Sequence, residues 1–97
     1  MVGSGTRLVF RLHAIRRMFE RRISPEDVRH ALDDGQAIER YPDTTPYPSR
    51  LVLGWRGDRP LHVVAADVPG DEKTIVVTVY EPDPARWEAG FTKRRTP

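Results

Sequence analysis

The sequence predicts an α+β fold: two N-terminal helices packed on one face of a four-stranded antiparallel β-sheet, with a short C-terminal helical turn. Three observations predict it. Apolar residues recur with a helical period as far as Gly35 and with a period of two after it. Three β-rich runs then follow one another through short turns, which suits an antiparallel meander better than parallel crossovers. The 97 residues fit one domain, because chains usually divide only well above this length. The expected divisions are a flexible start at 1–6, a single α+β domain at 7–91 and a basic tail at 92–97.

The first helix is expected from Leu12 to Ile23. Its apolar residues are Leu12, Ala14, Ile15, Met18, Phe19 and Ile23. At about 100° per residue they cover one side, expected to face the sheet. His13, Arg16, Arg17, Glu20 and Arg21 share the other side, giving a cationic outer face. Ser24-Pro25-Glu26-Asp27 starts the second helix: Ser24 caps, Pro25 suits the first helical position, and Asp27 takes the third position of a capping box. Val28, Ala31 and Leu32 form its apolar stripe. Gly35 is expected to end it in the left-handed conformation, so the helix runs over roughly Pro25 to Asp33.

Gln36–Tyr41 reads as a first strand, closed by a loop holding Pro42, Pro46 and Pro48. Arg50–Arg56 and Pro60–Asp67 are β-rich runs about a Gly57-Asp58 turn. Pro69-Gly70-Asp71 turns the chain into Thr74–Tyr80, the segment richest in β-branched residues. Pro82 and Pro84 end the meander, and Ala85–Ala89 is the expected helical turn.

Composition narrows the function. The chain is 38% hydrophobic and carries eight large aromatics, enough for one modest core and too much for a wholly disordered chain. No cysteine is present, which excludes disulfides and thiolate sites and suits a reducing cytoplasm. No run approaches the roughly 18 apolar residues of a membrane span, and residues 1–6 lack a signal-peptide pattern. A cytoplasmic protein without membrane attachment is therefore expected.

The formal charge is only +2, which argues against indiscriminate binding of long duplexes. The charge is unevenly spread, however. Residues 1–31 hold seven arginines and three acids, residues 32–91 are acidic by five charges, and residues 92–97 add Lys93, Arg94 and Arg95. Such a dipole steers charged partners.

His13-Ala14-x-x-Arg17-Met18-x-Glu20-Arg21-x-Ile23-Ser24 resembles the opening of a bacterial family known only as domain of unknown function 4258. The resemblance continues through Glu26-Asp27-Val28, Ala31-Leu32 and Gly35. It extends into the strands at Arg50-Leu51-Val52-Leu53-Gly54, Arg59-Pro60-Leu61-His62-Val63-Val64 and Ile75-Val76-Val77-Thr78-Val79-Tyr80. That family is similar in layout to RelE-like and BrnT-like toxins, so the resemblance implies an RNA-cleaving toxin, possible partners being RNA, on the ribosome or free, and a cognate antitoxin.

His13, Arg17 and Arg21 stand four residues apart, in one slowly rotating row on a helix. Metal-free RNA cleavage needs a base for the 2′-hydroxyl, an acid for the leaving oxygen and cations for the phosphorane-like charge. Imidazole serves as base or acid, and guanidinium forks suit phosphate. The plain structural alternative is a solvated face in which Glu20 pairs with Arg16 and Arg17. The resemblance places Tyr80 near the active edge, to orient phosphate or stack on a base; the plainer alternative is a strand-end aromatic covering the core.

Arg16, Arg50, Lys93, Arg94 and Arg95 complete the candidate phosphate-binding set, the tail being either part of the active surface or a frayed end. His62 is expected as a satisfied, partly buried histidine or as a groove residue beside Arg50 or Tyr80. His30 is expected to be exposed, and Trp55 and Trp87 to be packing residues. Three separate histidines without ligand spacing predict no metal, and no cofactor motif is present. Two other classes fit the sequence: a non-enzymatic RNA- or protein-binding module built on the arginine-rich helix, and a protein that self-associates through the Gln36–Tyr41 edge.

Overall fold

The computed structural model describes residues 6–96. The expected flexible start lies outside the described residues except for Thr6, whose carbonyl accepts a 2.6 Å hydrogen bond from Arg29. The elements in chain order are β1 (Arg7–Phe10), α1 (Leu12–Arg21), α2 (Pro25–Asp34), β2 (Gln36–Tyr41), β3 (Ser49–Arg56), β4 (Arg59–Val68) and β5 (Lys73–Tyr80). They form an α+β fold of two helices on one sheet.

The sheet has five strands, not four, in the order β1-β5-β4-β3-β2. It is mixed, not antiparallel throughout. Strands β2 to β5 make the expected antiparallel meander, while β1 lies parallel to β5 with Arg7 opposite Lys73 and Phe10 opposite Val76. Only four residues long, β1 leaves little alternation to detect, and its pairing depends on a segment near the other end of the chain. Leu8 and Phe10 pack onto the core from it.

The second helix begins as its sequence dictates. The Ser24 hydroxyl accepts from Asp27 N at 3.0 Å, and the Asp27 carboxylate accepts from Ser24 N at 2.9 Å, a reciprocal capping box. Gly35 is extended, with φ −81°, rather than left-handed. Glycine is needed there for space: a Cβ would stand 2.2 Å from the Ala31 carbonyl oxygen and 2.5 Å from that of Leu53. The left-handed helix end occurs instead at Arg22, φ 56°, whose N–H returns to α1 carbonyls. Gly54 lets α2 lie close on β3, since a Cβ there would meet the Ala31 Cβ at 2.4 Å.

The core lies between the helices and one sheet face. Ala14, Met18, Ile23, Val28, Ala31 and Leu32 meet Val52, Leu61, Val63, Ala65, Val76 and Val79. α1 packs on β5, and α2 on β3 and β4. The expected inward apolar side of α1 is only partly so: Ala14 and Met18 are buried, while Leu12, Ile15 and Phe19 are exposed. α1 packs on β5, next to the edge of the sheet, and half of its apolar arc is left uncovered.

The other sheet face is covered by the C-terminal segment. The expected helical turn forms, but over Asp83–Trp87 rather than Ala85–Ala89, with Trp87 N–H bonding to the Asp83 carbonyl at 3.0 Å. The chain then doubles back, bridging Trp87 to Arg94. Trp87 is buried as expected, whereas Trp55 is 41% exposed and meets Phe91 edge-on at 6.3 Å.

Candidate functional site

Strand β1 stops pairing at Val76, so among the described residues no strand flanks the remaining edge of β5 on that side. α1 follows β1 directly and packs on β5. The C-terminal segment returns along the other sheet face. A cleft of about 620 Å³ opens between them, lined by His13, Arg17 and Arg21 of α1, Thr78 and Tyr80 of β5, and Glu81, Asp83, Arg86, Trp87 and Arg94.

Helical spacing puts His13, Arg17 and Arg21 in one row, and all three are exposed. Among the described residues neither Arg17 nor Arg21 forms an ion pair, and Glu20 pairs with neither Arg16 nor Arg17. The cleft's acids are engaged elsewhere. Glu81 accepts from Arg56 at 3.1 Å and from Arg59 at 2.8 Å. Asp83 accepts from the Ala85 N–H at 2.9 Å. Cationic donors therefore face the opening with little internal compensation.

Tyr80 is fixed from below by His62. Register places His62 opposite Tyr80 on the sheet face turned away from the helices. His62 is fully buried, and its Nε2 lies 2.9 Å from the Phe91 carbonyl oxygen. A carbonyl only accepts, so Nε2 carries the proton. Nδ1 of the neutral ring then accepts the Tyr80 hydroxyl at 3.2 Å. Burial pushes the His62 pKa down, against the opposing pull of the Phe91 carbonyl and Glu39. Burial likewise raises the pKa of Tyr80. Trp87 packs edge-on against the imidazole at 4.4 Å.

A second tie holds the tail. Arg94 donates to both carboxylate oxygens of Glu39, at 2.9 and 3.0 Å, and its guanidinium lies 4.7 Å over the Trp87 ring. Tyr41 donates to the same carboxylate, and burial followed by that hydrogen bond lifts its pKa to about 12. The Arg94 hydrogen bond holds the Glu39 pKa down.

Of the residues singled out from the sequence, His13, Arg17, Arg21, Tyr80 and Arg94 line this cleft. His62 is the satisfied buried histidine and touches Tyr80, but not Arg50. Arg50 lies in separate hollows with Arg40 and is paired to Asp67 at 2.9 Å. Arg16 faces away beside Phe19. Lys93 and Arg95 are exposed and outside the cleft lining, Arg95 donating to the Pro84 carbonyl at 2.8 Å. His30 is exposed and 3.0 Å from Asp34. Sequence reasoning missed Arg86, although Asp83-Pro84 before it is a turn signal that returns the chain over the end of β5. Among the described residues no group of three or more His, Cys, Asp or Glu is placed to hold a metal, and no helix is long and apolar enough to cross a membrane.

Compared with known families, residues 10–81 match the one described as domain of unknown function (DUF4258). The chain belongs to that DUF4258 family. The matched span covers α1 and the meander, so it contains His13, Arg17, Arg21 and Tyr80. Arg86, Trp87 and Arg94, which close the cleft, lie beyond it. Comparison with curated proteins and with solved structures gives no match in either set.

Proposed function

We propose that the chain binds single-stranded RNA in this cleft and cleaves it without a metal, as the toxin of a toxin–antitoxin pair, with a cognate antitoxin protein to neutralise it. One observation carries the reading: His13 shares a cleft with Arg17, Arg21, Arg86 and Tyr80, while Arg17 and Arg21 have no ion pair within the described structure. Unpaired guanidinium groups beside an imidazole suit a phosphate undergoing substitution. The likeness of layout to RelE-like and BrnT-like toxins suggests RNA as substrate and belongs to the proposal.

In this reading neutral His13 takes the proton of a ribose 2′-hydroxyl. The 2′-oxygen attacks phosphorus, the bond to the 5′-oxygen breaks, and that oxygen takes a proton from water, whose hydroxide is neutralised by the proton that His13 took up. The products are a 2′,3′-cyclic phosphate and a 5′-hydroxyl. Arg17 and Arg21 hold the non-bridging oxygens as charge builds, and Tyr80, anchored by His62, offers a face for base or ribose.

The test is incubation of the purified chain with labelled single-stranded RNA in excess EDTA, with and without ribosomes. Wild type is expected to yield cyclic-phosphate ends, and His13→Ala to slow cleavage by about 10²–10⁴-fold. RNA left intact by wild type in both settings would defeat the cleavage reading. Cleavage appearing only with Mg²⁺ would defeat the metal-free step.

A further inference from the structure

The outer side of α1 carries a second surface, separate from the cleft. Phe19 is 87% exposed, Leu12 62% and Ile15 49%. Positions 12, 15 and 19 follow the i, i+3, i+7 spacing and form one stripe. A shallow hollow of about 410 Å³ sits on it, lined by Ile15, Arg16, Phe19 and Glu20. Single exposed apolar residues are ordinary, but a continuous stripe rimmed by charge marks an interaction surface. The helix cannot bury it by turning, because Ala14 and Met18 already pack in the core.

The rim is strongly cationic. By helical spacing Arg16 falls on one side of the stripe, and Arg11 and Arg22, which bound the helix, fall on the other. Among the described residues none of the three forms an ion pair, and Glu20 is the only acid in α1. We propose that this face docks an acidic amphipathic helix of a partner protein. The partner's apolar residues at i, i+3 and i+7 seat on Ile15 and Phe19, and its flanking carboxylates pair with Arg11, Arg16 and Arg22.

Charge selects this occupant over the others. A second copy packed through the same face would set these arginines against their own counterparts, because a two-fold interface brings identical patches together. A lipid surface also favours an apolar stripe flanked by cations. Here, however, the stripe spans only two turns, and a partner helix can set its carboxylates clear of Glu20, which lines the hollow, whereas a continuous layer of anionic headgroups cannot. This face and the cleft share no lining residue.

The test titrates the full chain with a labelled synthetic helical peptide bearing leucines at i, i+3 and i+7 between glutamates. A peptide with lysines replacing those glutamates, and anionic phosphatidylserine vesicles, are run alongside, with sedimentation of the chain alone. The acidic peptide is expected to bind at least about tenfold tighter than the basic one and to weaken with salt. Phe19→Ser and Arg16→Glu should each weaken it by about tenfold or more, with unchanged circular dichroism, since both side chains are exposed. The proposal is overturned if neither peptide binds, if Phe19→Ser binds like wild type, if both peptides bind equally, if only vesicles bind, or if the chain self-associates through Phe19.

Discussion

Two regions of this small protein are built from the same residue types and behave oppositely. On the sheet face away from the helices, His62 and Arg94 are held by partners: His62 bonds to Tyr80 and Phe91, and Arg94 to Glu39 and the Trp87 ring. On α1, the exposed His13, Arg17 and Arg21 have no ion pair within the described structure. The first group locks the C-terminal segment onto the sheet. The second points into the space that this segment closes. Histidine and arginine thus become structural when the fold supplies acceptors and available for ligands when it does not. Tyr80 touches both regions, so the buried set also positions one wall of the open one.

The largest effect is expected at Arg17. If the row handles phosphate through a bidentate fork, Arg17→Ala should lower RNA cleavage by about 10²-fold or more, and Arg17→Lys should recover only a small part of it. Full rescue by lysine would reduce the row to simple charge attraction. Thermal melting should be unchanged in both variants, because the side chain is exposed.

The next effect is on stability. His62→Ala removes a fully buried ring and leaves the Tyr80 hydroxyl and the Phe91 carbonyl without their partner. A loss of about 2–4 kcal/mol is expected in urea unfolding. Arg17→Ala in the same assay should stay within about 0.5 kcal/mol of wild type. Equal losses would erase the distinction between the two regions.

A third measurement sharpens it through pH. Burial holds the folded-state pKa of His62 below 6.5, so the unfolded chain takes up this proton first as pH falls. The His62 contribution to stability is therefore complete above about pH 6.5 and is lost as pH drops through the lower, folded-state value. Urea midpoints for wild type should fall between about pH 7.5 and pH 5.5, and His62→Phe should flatten that part of the decline. The smallest effect is expected at Glu39. Its partner Arg94 is 60% exposed in the side chain, so Glu39→Gln should cost no more than about 1 kcal/mol, shrinking further in salt.

Local signals were legible in the sequence. The Ser24–Asp27 capping box, the Gly57-Asp58 turn and the alternation of β2 to β5 each depend on neighbours within a few residues, and each appears in the fold. β1 was not legible, because four residues become a strand only through β5, far along the chain. The two outer surfaces of α1 were half legible. Spacing put His13, Arg17 and Arg21 in one row, but the broad apolar arc gave no sign that the sheet would cover Ala14 and Met18 and leave Phe19 bare. His62 could be read as buried from its apolar strand, whereas its acceptor, the Phe91 backbone carbonyl, carries no side-chain signature.

Whether the α1 row, without ion pairs among the described residues, is a phosphate site is tested most directly by salt-dependent RNA binding. A short 2′-O-methyl RNA, which lacks the attacking hydroxyl proton, can be titrated into wild type and the Arg17→Ala/Arg21→Ala variant over a range of salt. The variant is expected to bind roughly 100-fold more weakly at low salt, with a log-affinity slope against log salt shallower by about 1 to 2. Identical affinities and slopes for the two proteins would contradict a phosphate site there.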